Sequence, residues 1–266
     1  MPLDSQRPLG QPDGSVQARV RAQFDRQVAH YLQGSPMADR RLLELICQMA
    51  SPTAAHRVLD VACGAGFLVG EFAKSARLVC GIDLAEHMLA EAWKLARARH
   101  QAKTVVCQAD AEALPFSGEA FDIVSCKLAL HYFPHPESAL GEMRRVATRG
   151  GRVVLIDRIS SEDPARCAYQ NRIENLRTPA KTRVYNESEL VALLEKTGLA
   201  VEQRAMYPKG MGVEAWIRAA GPDEATARTI RAMLTRGGDP AGLDVRRAGD
   251  LMLLTHQTCI LVARRR

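Results

Sequence analysis

Between residues 57 and 156 the chain alternates short apolar segments of strand length with longer segments in which apolar residues recur at helical spacing. The apolar segments lie at about 57–61, 78–82, 104–107, 121–125 and 152–156, and the helical segments at about 67–75, 85–99 and 137–147. Strands that are apolar on both faces and alternate with helices are typical of a parallel sheet covered by helices on each side. The alternation predicts an α/β fold with a Rossmann-like, doubly wound sheet.

The rest of the chain is organised around this core. We expect a flexible N-terminus at 1–15, an N-terminal helical cap at 16–50, a core at 51–206, a helical insertion at 207–249 and a final sheet strand at 250–266. The run that ends at about 206 and the run that begins at 251 are expected to pair as an antiparallel hairpin on the sheet edge. The insertion is predicted either to cover the strand ends as a lid with the substrate pocket or to be a packing appendage.

Composition excludes several classes of protein. No apolar run in the 266 residues approaches the roughly 18 needed to span a bilayer, and the N-terminus lacks the apolar stretch of a secretory signal. The seven Cys contain no Cys-x-x-Cys pair, which argues against a disulfide framework and a thiolate zinc site. We therefore expect a cytoplasmic protein with no membrane partner. The net charge of +6 leaves nucleic acid and acidic metabolites both open as ligands.

The strongest local signal is the turn that follows the first strand, in the sequence Val58-Leu-Asp-Val-Ala-Cys-Gly-Ala-Gly66. Ligands of doubly wound sheets bind outside the carboxyl ends of the strands, so this turn is expected to form the floor of a pocket. A dinucleotide-binding turn requires Gly-x-Gly-x-x-Gly, whereas the glycines here fall at 64, 66 and 70. Asp60 also favours a ligand with an ammonium group over a diphosphate.

Two further acids follow the next two strands. Asp83 ends the second strand, where a carboxylate can accept hydrogen bonds from both hydroxyls of a ribose. Asp110 follows the third strand, where an acceptor can bind the exocyclic amine of adenine. Each acid alone is also compatible with a loop or cap residue, but three acids on successive strand ends predict a nucleoside-binding site.

Taken together, five motifs resemble those of a known family in order and spacing. They are Val58-Leu-Asp-Val-Ala-Cys-Gly-Ala-Gly66, Gly81-Ile-Asp-Leu-Ala-Glu-His-Met-Leu89, Ala109-Asp-Ala-Glu-Ala-Leu-Pro-Phe116, Phe121-Asp-Ile-Val-Ser125 and Gly150-Gly-Arg-Val-Val-Leu-Ile-Asp157. The chain is similar, over about residues 16–205, to class I S-adenosylmethionine-dependent methyltransferases. Within that class it most resembles the ubiquinone/menaquinone-biosynthesis-like branch, which acts on small molecules.

This resemblance implies a seven-stranded sheet with its last strand antiparallel, and S-adenosylmethionine as the cofactor. It implies that the methionine moiety is held by the first turn, the ribose by Asp83, and adenine by Met88 and by Asp110 with the Ala111 backbone. Asp60 would act toward the amino group through its backbone or a water. The implied cofactor-binding residues are Tyr31, Asp60, Ala62, Gly64, Gly66, Asp83, Leu84, Met88, Asp110, Ala111 and Lys127. Ala62 departs from the family, which usually has Gly there.

The segment after the fourth strand, Cys126-Lys-Leu-Ala-Leu-His-Tyr-Phe-Pro134, resembles a family stretch that ends in a His pair. Lys127 is placed to meet the methionine carboxylate. His131 is the candidate for proton transfer, and the alternative is that it only packs beneath the cofactor. Residues expected to line the substrate pocket are Phe24, Tyr132, Arg177 and Trp216.

The sequence therefore predicts transfer of a methyl group to a small molecule by in-line displacement, in a monomer or homodimer. No metal is expected, because His and carboxylates show no metal-ligand spacing and the sulfonium is already activated. A nucleic-acid methyltransferase is the first alternative. It is favoured by basic residues between 144 and 152, but the chain has no Asn/Asp-Pro-Pro-aromatic motif after the fourth strand and only 13 aromatic residues, which are few for base stacking. A protein that uses the cofactor structurally, or for a non-methylating reaction, is the second. The atom that accepts the methyl group is not specified by the sequence.

Overall fold

The computed structural model describes Ala18, Val20, Arg21 and residues 38–99 and 101–266. Phe24, Tyr31 and the predicted flexible segment 1–15 lie outside the described residues, as does most of the predicted helix between 15 and 32. Of that helix, Ala18, Val20 and Arg21 have helical conformation. None of the helices in the described ranges is long and apolar enough to cross a lipid bilayer.

The helices and strands follow the predicted alternation. The helices are α1 (Arg40–Ala50), α2 (Phe67–Phe72), α3 (Glu86–Ala98), α4 (Pro136–Val146), α5 (Pro164–Arg177), α6 (Glu187–Lys196), α7 (Val213–Arg218) and α8 (Glu224–Leu234). The strands are β1 (Arg57–Val61), β2 (Leu78–Asp83), β3 (Thr104–Gln108), β4 (Phe121–Lys127), β5 (Ala147–Ile159), β6 (Leu199–Gly212), β7 (Arg246–Ala248) and β8 (Leu251–Arg265).

The strands form one sheet in the order β3-β2-β1-β4-β5-β8-β6, and β7 pairs with β8. Strands β1 to β5 are parallel to one another, while β8 is antiparallel to both β5 and β6. This confirms the predicted Rossmann-like sheet with its last strand antiparallel. The sheet has an eighth strand in addition to the seven expected, because the three exposed residues of β7 also pair with β8.

The sheet is buried on both faces, as the continuous apolar runs predict. Along β5, Val153 and Leu155 belong to the core beneath α4 and α6, whereas Val154 and Ile156 belong to the core beneath α1 and α2. All four residues are fully buried. Because successive side chains of a strand point to opposite faces, only a strand that is apolar at every position serves both cores.

The predicted insertion between 207 and 249 starts in a strand rather than a helix. Strand β6 continues to Gly212 and pairs with β8 as far as Leu253, beyond the end of β5. Helices α7 and α8 follow, and the Asp223 carboxylate caps α8 by accepting from the Thr226 N–H. Together with α5 they enclose a third apolar core that includes Trp216. The insertion therefore packs at the same edge of the sheet as the carboxyl ends of the parallel strands.

Candidate active site

A cleft of about 1030 Å³, including the space at its mouth, opens at the carboxyl ends of β1, β2 and β4. Its lining includes most of the residues that the sequence assigned to the cofactor. They are Asp60, Ala62, Gly64, Asp83, Leu84, Met88, Asp110, Ala111 and Lys127. Tyr132, assigned to the substrate, also lines the cleft, and Val20 of the N-terminal segment contributes to one wall. The fold therefore brings together residues as distant in the sequence as Val20 and Tyr132, which are 112 positions apart.

Asp60 lies near the end of β1 and is 1% exposed. Its Oδ1 accepts a hydrogen bond of 2.6 Å from the Ser125 hydroxyl of β4. Burial raises the pKa of Asp60 to about 7, against the opposing effects of Ser125 and of the positive charge of Lys127. Burial in turn lowers the pKa of Lys127, and the charge of Asp60 opposes that change. A cationic group of a ligand would stabilise the ionised form of Asp60.

The turn after β1 bends through two residues with left-handed backbone conformation, Ala62 (φ 54°) and Gly64 (φ 53°). A Cβ added to Gly64 would find no protein atom within 4 Å, so packing does not require a glycine there. The backbone conformation does favour one, because a side chain is strained at positive φ. This open stretch of backbone beside the cleft fits the close approach of a ligand.

Gly66, which the sequence assigns to the cofactor, is constrained by helix packing. It caps the N-terminus of α2 with φ 78°, and a Cβ there would lie 2.9 Å from the Cβ of Ala92 in α3. Gly66 is not among the residues that line the cleft. The close packing of α2 against α3 is therefore sufficient to require a glycine at this position.

Asp83 connects the turns that follow β1 and β2. Its Oδ2 accepts a hydrogen bond of 2.7 Å from the Gly64 N–H, and its Oδ1 accepts one of 2.9 Å from the Ala85 N–H. These bonds fix the orientation of the carboxylate at the cleft wall. The arrangement fits the predicted recognition of a ribose.

The adenine side of the predicted site is formed by the loops after β2 and β3. Asp110 is held by accepting a 2.9 Å hydrogen bond from the Glu112 N–H onto its Oδ1. Met88 is 3% exposed and packs with Ala65 and Ala85. An apolar side chain on one side and a fixed carboxylate on the other suit a flat heteroaromatic ring that carries an amine.

Leu128, which no sequence motif singles out, follows Lys127 and lines the cleft. Leu128 adopts φ 57°, a conformation that bulky side chains seldom take, while its N–H donates a 2.7 Å hydrogen bond to the Ile156 carbonyl. Strain of this kind collects at ligand sites and persists when the surrounding structure enforces it. Residue type does not predict this backbone conformation, because leucine seldom occupies a left-handed position.

His131, the predicted proton-transfer residue, does not line the cleft. It is 4% exposed, and its Nδ1 lies 2.5 Å from Oδ1 of Asp157. Burial lowers the pKa of His131, although Asp157 opposes that change. Its carbonyl accepts hydrogen bonds from the Thr182 N–H and hydroxyl. The structure therefore places His131 behind the neighbouring Tyr132, where it connects β5 to the loop that follows α5.

Two of the residues assigned to the substrate lie elsewhere. Trp216 is 1% exposed in the core of the insertion, and the Arg177 guanidinium stacks 4.4 Å above its ring. The Arg177 Nε also donates to the Trp216 carbonyl. Neither residue lines the cleft, because this pairing turns Arg177 toward α7. Within the described ranges, no three His, Cys, Asp or Glu side chains are grouped so as to hold a metal ion.

Comparison with known proteins agrees with this geometry. A family model described as "Methyltransferase domain" matches residues 59–155. The "Uncharacterized methyltransferase YcgJ" of Bacillus subtilis is 28% identical over 218 residues, which are 82% of this chain and 86% of that protein. The crystal structure of the YcgJ protein superposes with a TM-score of 0.80 over 85% of this chain and 98% of that one, at 26% identity.

Two further relatives extend the comparison. The "Uncharacterized protein YafE" of Escherichia coli is 30% identical over 159 residues, 60% of this chain and 77% of that protein. The "Ubiquinone/menaquinone biosynthesis C-methyltransferase UbiE" of Burkholderia mallei is 40% identical over 119 residues, 42% of this chain and 47% of that protein. Sequence motifs, sheet order and these relatives agree, and this chain belongs to the class I S-adenosylmethionine-dependent methyltransferases of the UbiE-like type.

Proposed function

We propose that this methyltransferase binds S-adenosylmethionine in the cleft and transfers its methyl group to a small molecule. The observation that carries the proposal is the convergence of three carboxylates, Asp60, Asp83 and Asp110, on one cleft at the ends of three adjacent parallel strands. An ammonium group, a ribose and an adenine amine are the cofactor's three groups that carboxylates recognise. They occur in the same order along the cofactor as the three acids occur across the sheet.

The side chains present fit the cofactor at both ends. Gly64 leaves room for the methionine moiety, and the charge of Lys127 is suited to the methionine carboxylate. Asp83 already has both oxygens fixed by backbone N–H groups, so its lone pairs are held in place before a ribose arrives. When bound, the cofactor supplies a methyl group that is activated by its sulfonium charge.

The chain itself would contribute by positioning the two reactants and by excluding water from the space between them. The turn after β1 and the buried Asp60 would fix the methionine end, so that the methyl group faces the space beyond Lys127 and Tyr132. Holding two reactants in line is worth roughly 7–11 kcal/mol of the barrier, which is the main source of catalysis proposed here. A base is required only if the acceptor must lose a proton, and His131 is not positioned to contact it.

A small molecule is a better acceptor than a nucleic acid because the basic residues near β5 have structural roles. Arg145 binds Glu142 and the carbonyls of Phe116 and Leu114, while Arg152 binds the Ala50 carbonyl. They lie in α4 and near the start of the β5 pairing with β4, at the edge opposite the cleft. A strand of nucleic acid held by these arginines would not reach the cleft.

The test combines binding and transfer. Calorimetric titration with S-adenosylhomocysteine should show one binding site per chain. Asp83→Asn should lower the affinity for S-adenosylhomocysteine by about tenfold or more, because hydrogen bonds to charged groups are worth roughly 1.5–3 kcal/mol. Asp250→Asn, at an exposed position, is the matched control. With methyl-labelled cofactor and a cell extract, label should enter low-mass compounds and resist nuclease.

Two results would overturn this proposal. Label that is released by nuclease would identify a nucleic-acid acceptor. Tight cofactor binding with no transfer to any fraction would instead favour a structural role for the cofactor or a non-methylating reaction.

A further inference from the structure

Arg158 lies near the carboxyl end of β5, the strand beside β4, and does not itself line the cleft. Lys127, in the cleft wall, is in register with Ile156 of β5, and Arg158 follows two residues later. Residues two apart on a strand share a face, so Arg158 is on the same face of the sheet as Lys127 and about 7 Å further toward the carboxyl edge. It is therefore on the side from which an acceptor would approach the methionine end of the cofactor.

Buried polar side chains surround this position. Arg158 is in register with Thr258 of β8, and His256 lies on the same face two residues nearer the carboxyl edge. The His256 ring is 5.4 Å from the ring of Trp216. On α5, Glu174 is fully buried and pairs at 2.5 Å with the buried ammonium of Lys181.

The charges of this cluster do not balance. Burial lowers the pKa of four neighbouring groups, Lys127, His131, Lys181 and His256. The positive charge of Arg158 lowers the pKa of each group further, so Arg158 lies within electrostatic range of all four. Lys127 is offset by Asp60, and Lys181 by Glu174. Throughout the described part of the chain, no hydrogen bond or ion pair involves the Arg158 guanidinium. When Arg177 and Asp157 are counted as well, four cations (Lys127, Arg158, Arg177 and Lys181) face three carboxylates (Asp60, Asp157 and Glu174), so one positive charge remains.

Buried polar atoms on α5, α7 and β8 also lack hydrogen-bond partners. Considering the described residues alone, the buried Nε2 of Gln170, Nε1 of Trp216 and both ring nitrogens of His256 make no hydrogen bond. Oε1 of Glu174 is unmatched too, but its charge is already paired with Lys181. Buried donors without acceptors cost roughly 1–3 kcal/mol each, so an oxygen-rich anion would relieve both the charge and the missing bonds.

We propose that Arg158 and His256 form a binding site for an anionic group, a carboxylate or a phosphate, on the molecule that accepts the methyl group. The inference rests on the proposed function, because it places the acceptor beside the methionine end of the cleft. Arg158 would bind the anion through its guanidinium fork, which matches the geometry of both groups. His256 would donate the second hydrogen bond. The acceptor would then be an organic acid or a phosphate ester rather than a neutral ring.

Calorimetric titration of the full chain, first saturated with S-adenosylhomocysteine, tests this site. The probes are benzoate, phenyl phosphate and the neutral benzamide. One of the two anions should bind at least about tenfold more tightly than benzamide, and the tighter of the two identifies the group. Arg158→Gln should abolish this preference, and Arg158→Lys should restore part of it. Arg204→Gln, on the opposite face of the sheet, should leave it unchanged.

The outcomes separate the two proposals. If the chain fails to bind S-adenosylhomocysteine, the proposed function is wrong and this inference falls with it. If it binds S-adenosylhomocysteine but binds benzamide as well as the anions, or binds none of the three probes, the anion site alone is wrong. An unchanged preference for the anion in Arg158→Gln would also overturn it.

Discussion

The Nδ1 atom of His131 lies 2.5 Å from Oδ1 of Asp157, with both side chains at most 5% exposed. Since this places the histidine in a structural bond, His131→Leu should lower the free energy of unfolding by about 2–3 kcal/mol, the usual worth of a hydrogen bond to a charged group. His131→Asn keeps a donor near the position of Nδ1 and should recover much of that loss. Chemical denaturation of both variants measures the difference.

Methyl transfer by the same two variants decides between the interpretations of His131. Asparagine cannot act as a base at neutral pH, so a structural histidine predicts that His131→Asn retains most of the transfer rate once folded. His135→Asn, at an exposed position, serves as the control. A stable His131→Asn protein with normal cofactor affinity and a rate reduced a hundredfold would restore the proton-transfer role.

The buried carboxyl of Asp60 predicts that binding of S-adenosylhomocysteine depends on pH. Because burial raises its pKa to about 7, the carboxyl is largely protonated below that pH and must lose its proton to stabilise an ammonium group. Affinity for S-adenosylhomocysteine should therefore fall by up to about tenfold per pH unit below 7 and level off above it. Titrations from pH 5.5 to 8.5 would show this. Asp60→Asn should bind more weakly and with a flat profile.

The same carboxyl affects folding in the opposite direction. The folded state holds the proton of Asp60 more tightly than the unfolded state does, so the ionised group opposes folding as pH rises from about 4 to 7. Asp60→Asn should therefore be more stable than the wild type at pH 8 by about 1–3 kcal/mol. A wild-type binding profile that is flat across pH 7, together with no gain in stability, would show that Asp60 is already ionised.

The two glycines of the first turn should respond differently to alanine. Gly66→Ala forces a Cβ to within 2.9 Å of Ala92, so unfolding should become easier by about 1–3 kcal/mol. Gly64→Ala meets no protein atom and should lose only about 1–2 kcal/mol from its backbone conformation, but it narrows the cleft. Cofactor affinity should fall more in Gly64→Ala than in folded Gly66→Ala. The reverse order would place Gly66 at the ligand.

Much of the fold was predictable because parallel strands that serve two cores must be apolar at every position, as in Val153 to Ile156. The end of β6 was not predictable from the sequence. Residues 207–212 alternate between half-buried and exposed positions, and they include Pro208, which is atypical of a strand. β7 is held only by its pairing with β8, and its three exposed residues carry no apolar pattern.

The candidate site was predictable where position follows from topology. Asp60, Asp83 and Asp110 come at or just after parallel strands, so the fold brings them to one edge whatever their side chains contact. His131 lies in a short 3-10 turn, where a shift of one residue decides which side chain faces the cleft. Trp216 looked like a pocket residue because large aromatic side chains suit both pockets and cores, and only its tertiary packing distinguishes the two.

The pair formed by Glu174 and Lys181 provides a last prediction, because both side chains are at most 2% exposed. Lys181→Met removes the direct partner of the buried Glu174 carboxylate, which then faces Arg177 at 3.9 Å, and should cost up to about 3–5 kcal/mol of unfolding free energy. Adding Glu174→Gln removes the negative charge of the buried carboxylate, so the double variant should regain most of the lost unfolding free energy. Arg231→Met, which breaks an exposed pair with Glu214, should cost less than about 1 kcal/mol. Denaturant unfolding of these three variants and the wild type measures the differences in unfolding free energy. Equal losses of stability in Lys181→Met and in the double variant would show that the two charges do not interact.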